Sequence, residues 1–117
     1  MTRWVRSNWG EGRLTYFFHI EHRDGEEWVV RQVELVEPGG IPAVASSLDE
    51  WMAALDAGRV QEYQKQYGPL SDQPVDAWDE GWPSDGITSE EFEDVWRRAR
   101  RHLETHGGWV DAQPPKP

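Results

Sequence analysis

The chain has 117 residues, enough for one modest hydrophobic core but not two, so a single domain is expected. It has no cysteine, which excludes disulfides, thiolate metal sites and thiol nucleophiles, and its formal charge of -10 disfavours nucleic acid and anionic membrane as direct ligands. Only 37% of residues are hydrophobic, yet eight Trp, three Tyr and three Phe supply large side chains, and the expected core is small and aromatic.

Residues 3–35 are rich in β-branched and aromatic types punctuated by turn residues, which predicts three strands. They run Arg3 to Trp9, Leu14 to Glu21 and Glu27 to Leu35, with Gly10 to Gly12 ending the first. Asp24-Gly25 joins the second and third as a tight hairpin, because glycine readily supplies the positive φ such turns need. Glu37-Pro38-Gly39-Gly40 makes the next turn. Ile41 to Ala45 then forms a short fourth strand, at an edge because Pro42 has no N–H to donate. Alternation in the third strand puts Val29, Arg31, Val33 and Leu35 on a core face and Trp28, Val30, Gln32 and Glu34 on the other. Arg31 among apolar neighbours requires a carboxylate partner or an edge to reach.

Helical periodicity takes over at Ser47, which forms a Ser-x-x-Glu capping box with Glu50. Leu48, Trp51, Met52 and Leu55 follow the spacing of a buried stripe, and Ala57-Gly58 divides the segment into two helices, the second from about Arg59 to Gln66 with Val60 and Tyr63 inward. Residues 69–87 hold three prolines and two glycines and form a long loop. Thr88 and Glu91 cap a final helix whose apolar stripe is Phe92, Val95, Trp96, Ala99 and Leu103. Gly107-Gly108 ends it, leaving the domain at 1–106 and a mobile tail at 107–117. The predicted class is α+β: a small antiparallel meander of three to four strands packed by two to three helices.

At this point the chain resembles a family of small bacterial proteins of unknown function. The resemblance rests on Trp4-Val5-Arg6 with Trp9, on the run from Trp28 to Leu35 with Gly39 after it, and on the run from Ile87 to Trp96. It implies a small sheet closed by a C-terminal helix and implies no activity. Residues 41–86, with the added helical segment and a Trp-containing acidic loop, depart from the pattern.

Charge is unevenly spread. Residues 1–47 carry five basic and seven acidic side chains, residues 48–96 two and thirteen, and residues 97–117 five and two. Between Ser71 and Asp94 the chain carries Asp72, Asp76, Asp79, Glu80, Asp85, Glu90, Glu91, Glu93 and Asp94 without one Lys or Arg, and Trp78 and Trp82 stand among them. Carboxylates that repel one another beside indoles that need apolar cover point to a basic, partly apolar protein partner. Asp72, Asp76, Trp78, Asp79, Glu80, Trp82 and Asp85 are the candidate partner-binding residues, the two tryptophans as anchors.

Catalysis, cofactor and metal are not expected. His19 and His22, three apart on a strand, point to opposite faces, and His102 and His106 share a helix face but lack a His-Glu-x-x-His context. There is no phosphate-binding glycine loop and no Gly-x-Ser-x-Gly elbow. Arg97, Arg98, Arg100 and Arg101 read as a solvated helix face paired with Glu93, Asp94 and Glu104, rather than a nucleic-acid patch. Two functions follow: an inhibitor or immunity-type module that occludes a basic enzyme such as a nuclease toxin, or an accessory interaction domain whose tryptophans are structural. No apolar run reads as a signal peptide or membrane span, and the expected location is the cytoplasm. Oligomeric state is left open by the sequence.

Overall fold

Strand, turn and cap signals place eight elements in a computed structural model that describes residues 2–9, 13–70 and 85–106. The strands are β1 (Thr2–Trp9), β2 (Leu14–Arg23), β3 (Glu26–Val36), β4 (Ile41–Ser47) and β5 (Asp85–Gly86). The helices are α1 (Leu48–Asp56), α2 (Val60–Tyr67) and α3 (Ser89–Thr105). The strands form one five-stranded sheet, ordered β4-β3-β2-β1-β5, with every neighbouring pair antiparallel. The class is α+β as expected. The sheet gains a strand over the expected three to four because Asp85-Gly86, at the end of the predicted loop, pairs with Val5 and Arg6.

Asp24 (φ 53°) and Gly25 (φ 82°) both adopt positive φ, the geometry of a tight hairpin turn, and lock β2 to β3. β4 lies at an edge, where the missing N–H of Pro42 removes no interior ladder bond. Gly58 (φ 70°) supplies the turn that divides α1 from α2. Ser47 caps α1 by accepting from the Glu50 N–H at 3.4 Å, but the reciprocal half of the predicted capping box is replaced. The Ser47 N–H donates to the Tyr63 hydroxyl at 2.7 Å, which frees the Glu50 carboxylate for other partners. At Thr88 the box is complete in both directions.

α3 packs its predicted stripe onto one face of the sheet. Phe92, Ala99 and Leu103 are fully buried against Phe17, Val33 and Ala45, with Trp4, Leu35, Val95 and Trp96 packed around them. Burying a side chain of the size of Phe92 or Leu103 is worth about 1.5–3 kcal/mol, so this layer carries much of the fold. A second cluster, Val5, Phe18, Ile20 and Val29, occupies the opposite face of the sheet, where Tyr16 and Leu70 pack against it. Ile20 and Val29 there are only 1% exposed.

Val29 was expected on the same face as Arg31, Val33 and Leu35. A β-bulge overturns this: Ile20 pairs with Val29 and His19 with Arg31, so Val30 has no opposite number and the alternation shifts by one. Val29 joins the second cluster, and Trp28 meets α1 instead.

Candidate interaction surface

Six of the seven sequence-predicted contact residues, Asp72, Asp76, Trp78, Asp79, Glu80 and Trp82, lie outside the described residues. The predicted tail, 107–117, lies outside them too. Asp85 is on β5 with its side chain 79% exposed, 3.8 Å from the Arg6 guanidinium. An ion pair that open to water is worth about 0–1 kcal/mol, so the Asp85 carboxylate remains accessible. Of the described residues on either side of these six, Leu70 packs on the second sheet face, and Ile87 N–H donates to the Trp4 carbonyl at 3.0 Å.

A surface that sequence reasoning missed is a groove between the β2–β3 hairpin and α1. Arg23, Asp24, Glu26 and Trp28 form one wall, Leu48 and Met52 the other, and the groove has a volume of about 350 Å³. The stripe of α1 was predicted to be buried, but no residue of α1 is, and Met52 and Leu55 are each 51% exposed. The exposure of α1 has a physical cause. α3 already covers the apolar centre of its face, and the short α1 packs beside β3 and β4 with its apolar edge turned outward. Within the groove wall Arg23 donates to Glu21 at 3.1 and 3.2 Å and to Asp49 at 3.2 Å, so its charge is already matched. Asp24 and Glu26 form no ion pair among the described residues.

Two arginines tie α3 to the rest. Arg31 was expected to find an internal carboxylate, and it does: both guanidinium Nη atoms bond Glu93, and Nε donates to His19 Nδ1 at 2.9 Å. Its guanidinium also lies 4.8 Å from the Phe92 ring centroid and 5.2 Å from that of Trp96. Because Nδ1 accepts from Arg31, neutral His19 carries its proton on Nε2, which faces Glu21 Oε2 at 3.4 Å without hydrogen-bond geometry. Burial and then the neighbouring Arg31 charge hold His19 below its ordinary pKa. The hydrogen bonds from Arg31 hold Glu93 below the usual carboxylate range.

Arg100 departs from the expected solvated face. It turns inward, donating from Nε to the Ala45 carbonyl at 2.8 Å, from both Nη atoms to Glu50, and from Nη2 to the Tyr63 hydroxyl at 3.2 Å. It stacks on Tyr67 at 3.7 Å and Trp96 at 4.4 Å. Burial pushes Glu50 up, but hydrogen bonds from Arg100 and Tyr63 more than offset it and leave the carboxyl below its ordinary pKa. Glu104 accepts from Tyr67 rather than serving the arginine run. Only Asp94 plays the expected part, pairing with Arg97 and Arg98.

The rings of His102 and His106 stack 4.2 Å apart, and His106 Nδ1 contacts the His102 carbonyl at 2.9 Å. Among the described residues no group of three or more His, Asp or Glu is arranged to hold a metal ion, and no helix is long and apolar enough to cross a membrane. Comparison with protein-family models, curated proteins and solved structures finds no match, so the resemblance to a bacterial family rests on the sequence motifs alone.

Proposed function

We propose that this chain is an acidic protein-binding module that occludes a basic partner, as an inhibitor or immunity-type protein does for a cationic nuclease. The observation that carries it is the imbalance of charge. Residues 48–96 hold thirteen acidic side chains against two basic ones. Of the twelve basic residues, Arg3, Arg6, Arg23, Arg31, Arg97, Arg98 and Arg100 are already paired with described carboxylates. The other five basic residues, Arg13, Arg59, Lys65, Arg101 and Lys116, stand against fifteen further carboxylates, Asp72, Asp76, Asp79 and Glu80 among them, and a cationic partner would supply the balance. Trp78 and Trp82 would be the desolvated anchors.

The test is affinity capture from lysate of the source organism at low and high salt, with wild type and a Trp78→Ala, Trp82→Ala double variant as baits. The expected result is a basic protein, retained less at high salt and lost with the double variant. Capture indifferent to both salt and the two tryptophans would overturn the assignment.

The burial of the second sheet face favours an alternative, an accessory domain with no inhibitory role in which Trp78 and Trp82 serve the core. Ile20 and Val29 are 1% exposed, yet Tyr16 and Leu70 are the partly buried hydrophobic residues described against that cluster. Acrylamide quenching of wild type and of single Trp78→Phe and Trp82→Phe variants separates the two: protected indoles favour the accessory role, accessible ones the inhibitor.

A further inference from the structure

We propose that the groove between the β2–β3 hairpin and α1 is a second docking site, which receives a basic amphipathic segment of a protein partner. The proposal extends the view of the chain as a binder of basic proteins, but uses none of residues 71–84.

The floor is apolar and open. Trp28, Leu48 and Met52 converge on it, and Met52 shows half of its surface to water in a helix that buries no residue at all. An apolar helix edge held beside an aromatic side chain in a concave site suits one or two aliphatic side chains presented by a partner helix or turn.

The rim states the charge of that partner. Of the charged residues that line the groove, Asp24 and Glu26 are acidic and Arg23 is basic. Arg23 is already shared between Glu21 and Asp49. The groove walls still carry a net negative charge, with Asp24 and Glu26 at the lip. A neutral apolar peptide would leave these carboxylates to be desolvated without compensation, and an acidic one would be repelled. Lysine or arginine flanking an aliphatic anchor satisfies both requirements.

The probe is a short amphipathic peptide of Leu and Lys, compared with a Ser and Lys peptide of equal length and charge. Affinity is read by anisotropy of the labelled peptide, and location by the ¹³C-methyl resonance of Met52, with Met1 the only other methionine. Saturable movement of the Met52 methyl by the Leu/Lys peptide is expected, with far weaker binding of the Ser/Lys peptide. Met52→Gln, at an exposed position that the fold does not need, weakens binding about tenfold. Asp24→Asn with Glu26→Gln weakens it about threefold at low salt and little at high salt, because exposed charges are screened. Trp78→Ala with Trp82→Ala leaves it unchanged. An unmoved Met52 methyl, equal binding of both peptides, or wild-type affinity in Met52→Gln would overturn the proposal. So would binding lost only with the two tryptophans, which would instead uphold the acidic segment as the partner site. Self-association of the free protein through Met52, seen by sedimentation, would also overturn it in favour of a second copy as occupant.

Discussion

Substituting Glu93 and Arg31 singly and together tests whether the buried arginine acts as half of a pair. The Arg31 side chain is 19% exposed and that of Glu93 39%, which places them between a surface pair, worth about 0–1 kcal/mol, and a fully buried one, whose breakage costs about 3–5 kcal/mol. Glu93→Gln keeps the shape but removes the charge, and about 2 kcal/mol of stability should be lost. Arg31→Met leaves His19 Nδ1 without its donor and gives up the stacking on Phe92 and Trp96, with methionine recovering part of the packing, again about 2 kcal/mol. Once Glu93 is gone, removing Arg31 also removes an uncompensated, largely buried charge, which offsets the lost bond to His19 and the lost stacking. The double variant should therefore also sit near 2 kcal/mol, a coupling of about 2 kcal/mol against additivity. Urea unfolding followed by tryptophan fluorescence measures each value, provided the dependence on urea keeps its slope. A double variant near 4 kcal/mol, the additive result, would refute the pair.

Lowering the pH should destabilise the protein in two stages. His19 is held below its ordinary pKa by burial and by Arg31, with Arg23 adding to the effect and Glu21 and Glu93 opposing it, so the unfolded state takes up protons first. Stability then declines as pH falls below about 6.5; His102, also held below its ordinary value by burial and by His106, contributes to the decline, so His19→Gln should make it shallower without abolishing it, and an unchanged slope in the variant would sink the assignment. Glu93 and Glu50 have folded pKa values below the ordinary one of about 4.3, so their stabilisation is present above it and lost as pH falls through the folded values. Glu34, raised by burial, acts in the opposite sense: its carboxylate weakens the fold at neutral pH, and protonation relieves this. Thr88→Ala should cost about 1 kcal/mol by opening the capping box of α3, and thermal unfolding that does not move would contradict the capping role. Leu103→Ala should cost about 2–5 kcal/mol, whereas Leu55→Ala on the open edge of α1 should stay within about 0.5 kcal/mol; similar losses would mean that α1 is buried after all.

What was legible in the sequence was local. Asp24-Gly25 announces its hairpin because few residue pairs tolerate two positive φ angles, and Thr88 with Glu91 announces a helix start through its own reciprocal bonds. Arg31 showed its need for a carboxylate because a charge at a core position has few alternatives. What was not legible depended on distant parts of the chain. The bulge at Val30 leaves no mark in a run of apolar residues that suits either face, so Val29 was misplaced. The spacing of Leu48, Trp51, Met52 and Leu55 is the same whether that stripe is buried or turned toward an open groove, and only the position of α3 decides. Arg100 belongs to a run of similar residues. Its inward turn is set by the Ala45 carbonyl, Glu50 and two tyrosines that helical spacing cannot foresee. Asp85-Gly86 has no strand propensity, and its pairing comes from its position beside β1. The acidic surface was legible as composition, and the groove, made by two elements far apart in sequence, was not.

Arg100 fastens four elements with one side chain: β4 through Ala45, α1 through Glu50, α2 through Tyr63 and Tyr67, and α3 on which it stands. A helix that frayed away alone would strand several of these partners at once, so local opening of any one becomes as costly as opening the group. In native-state hydrogen exchange, amides in the middle of α1, α2 and α3 would then share a single opening free energy, and short helices that could not persist alone would borrow the protection of the longest.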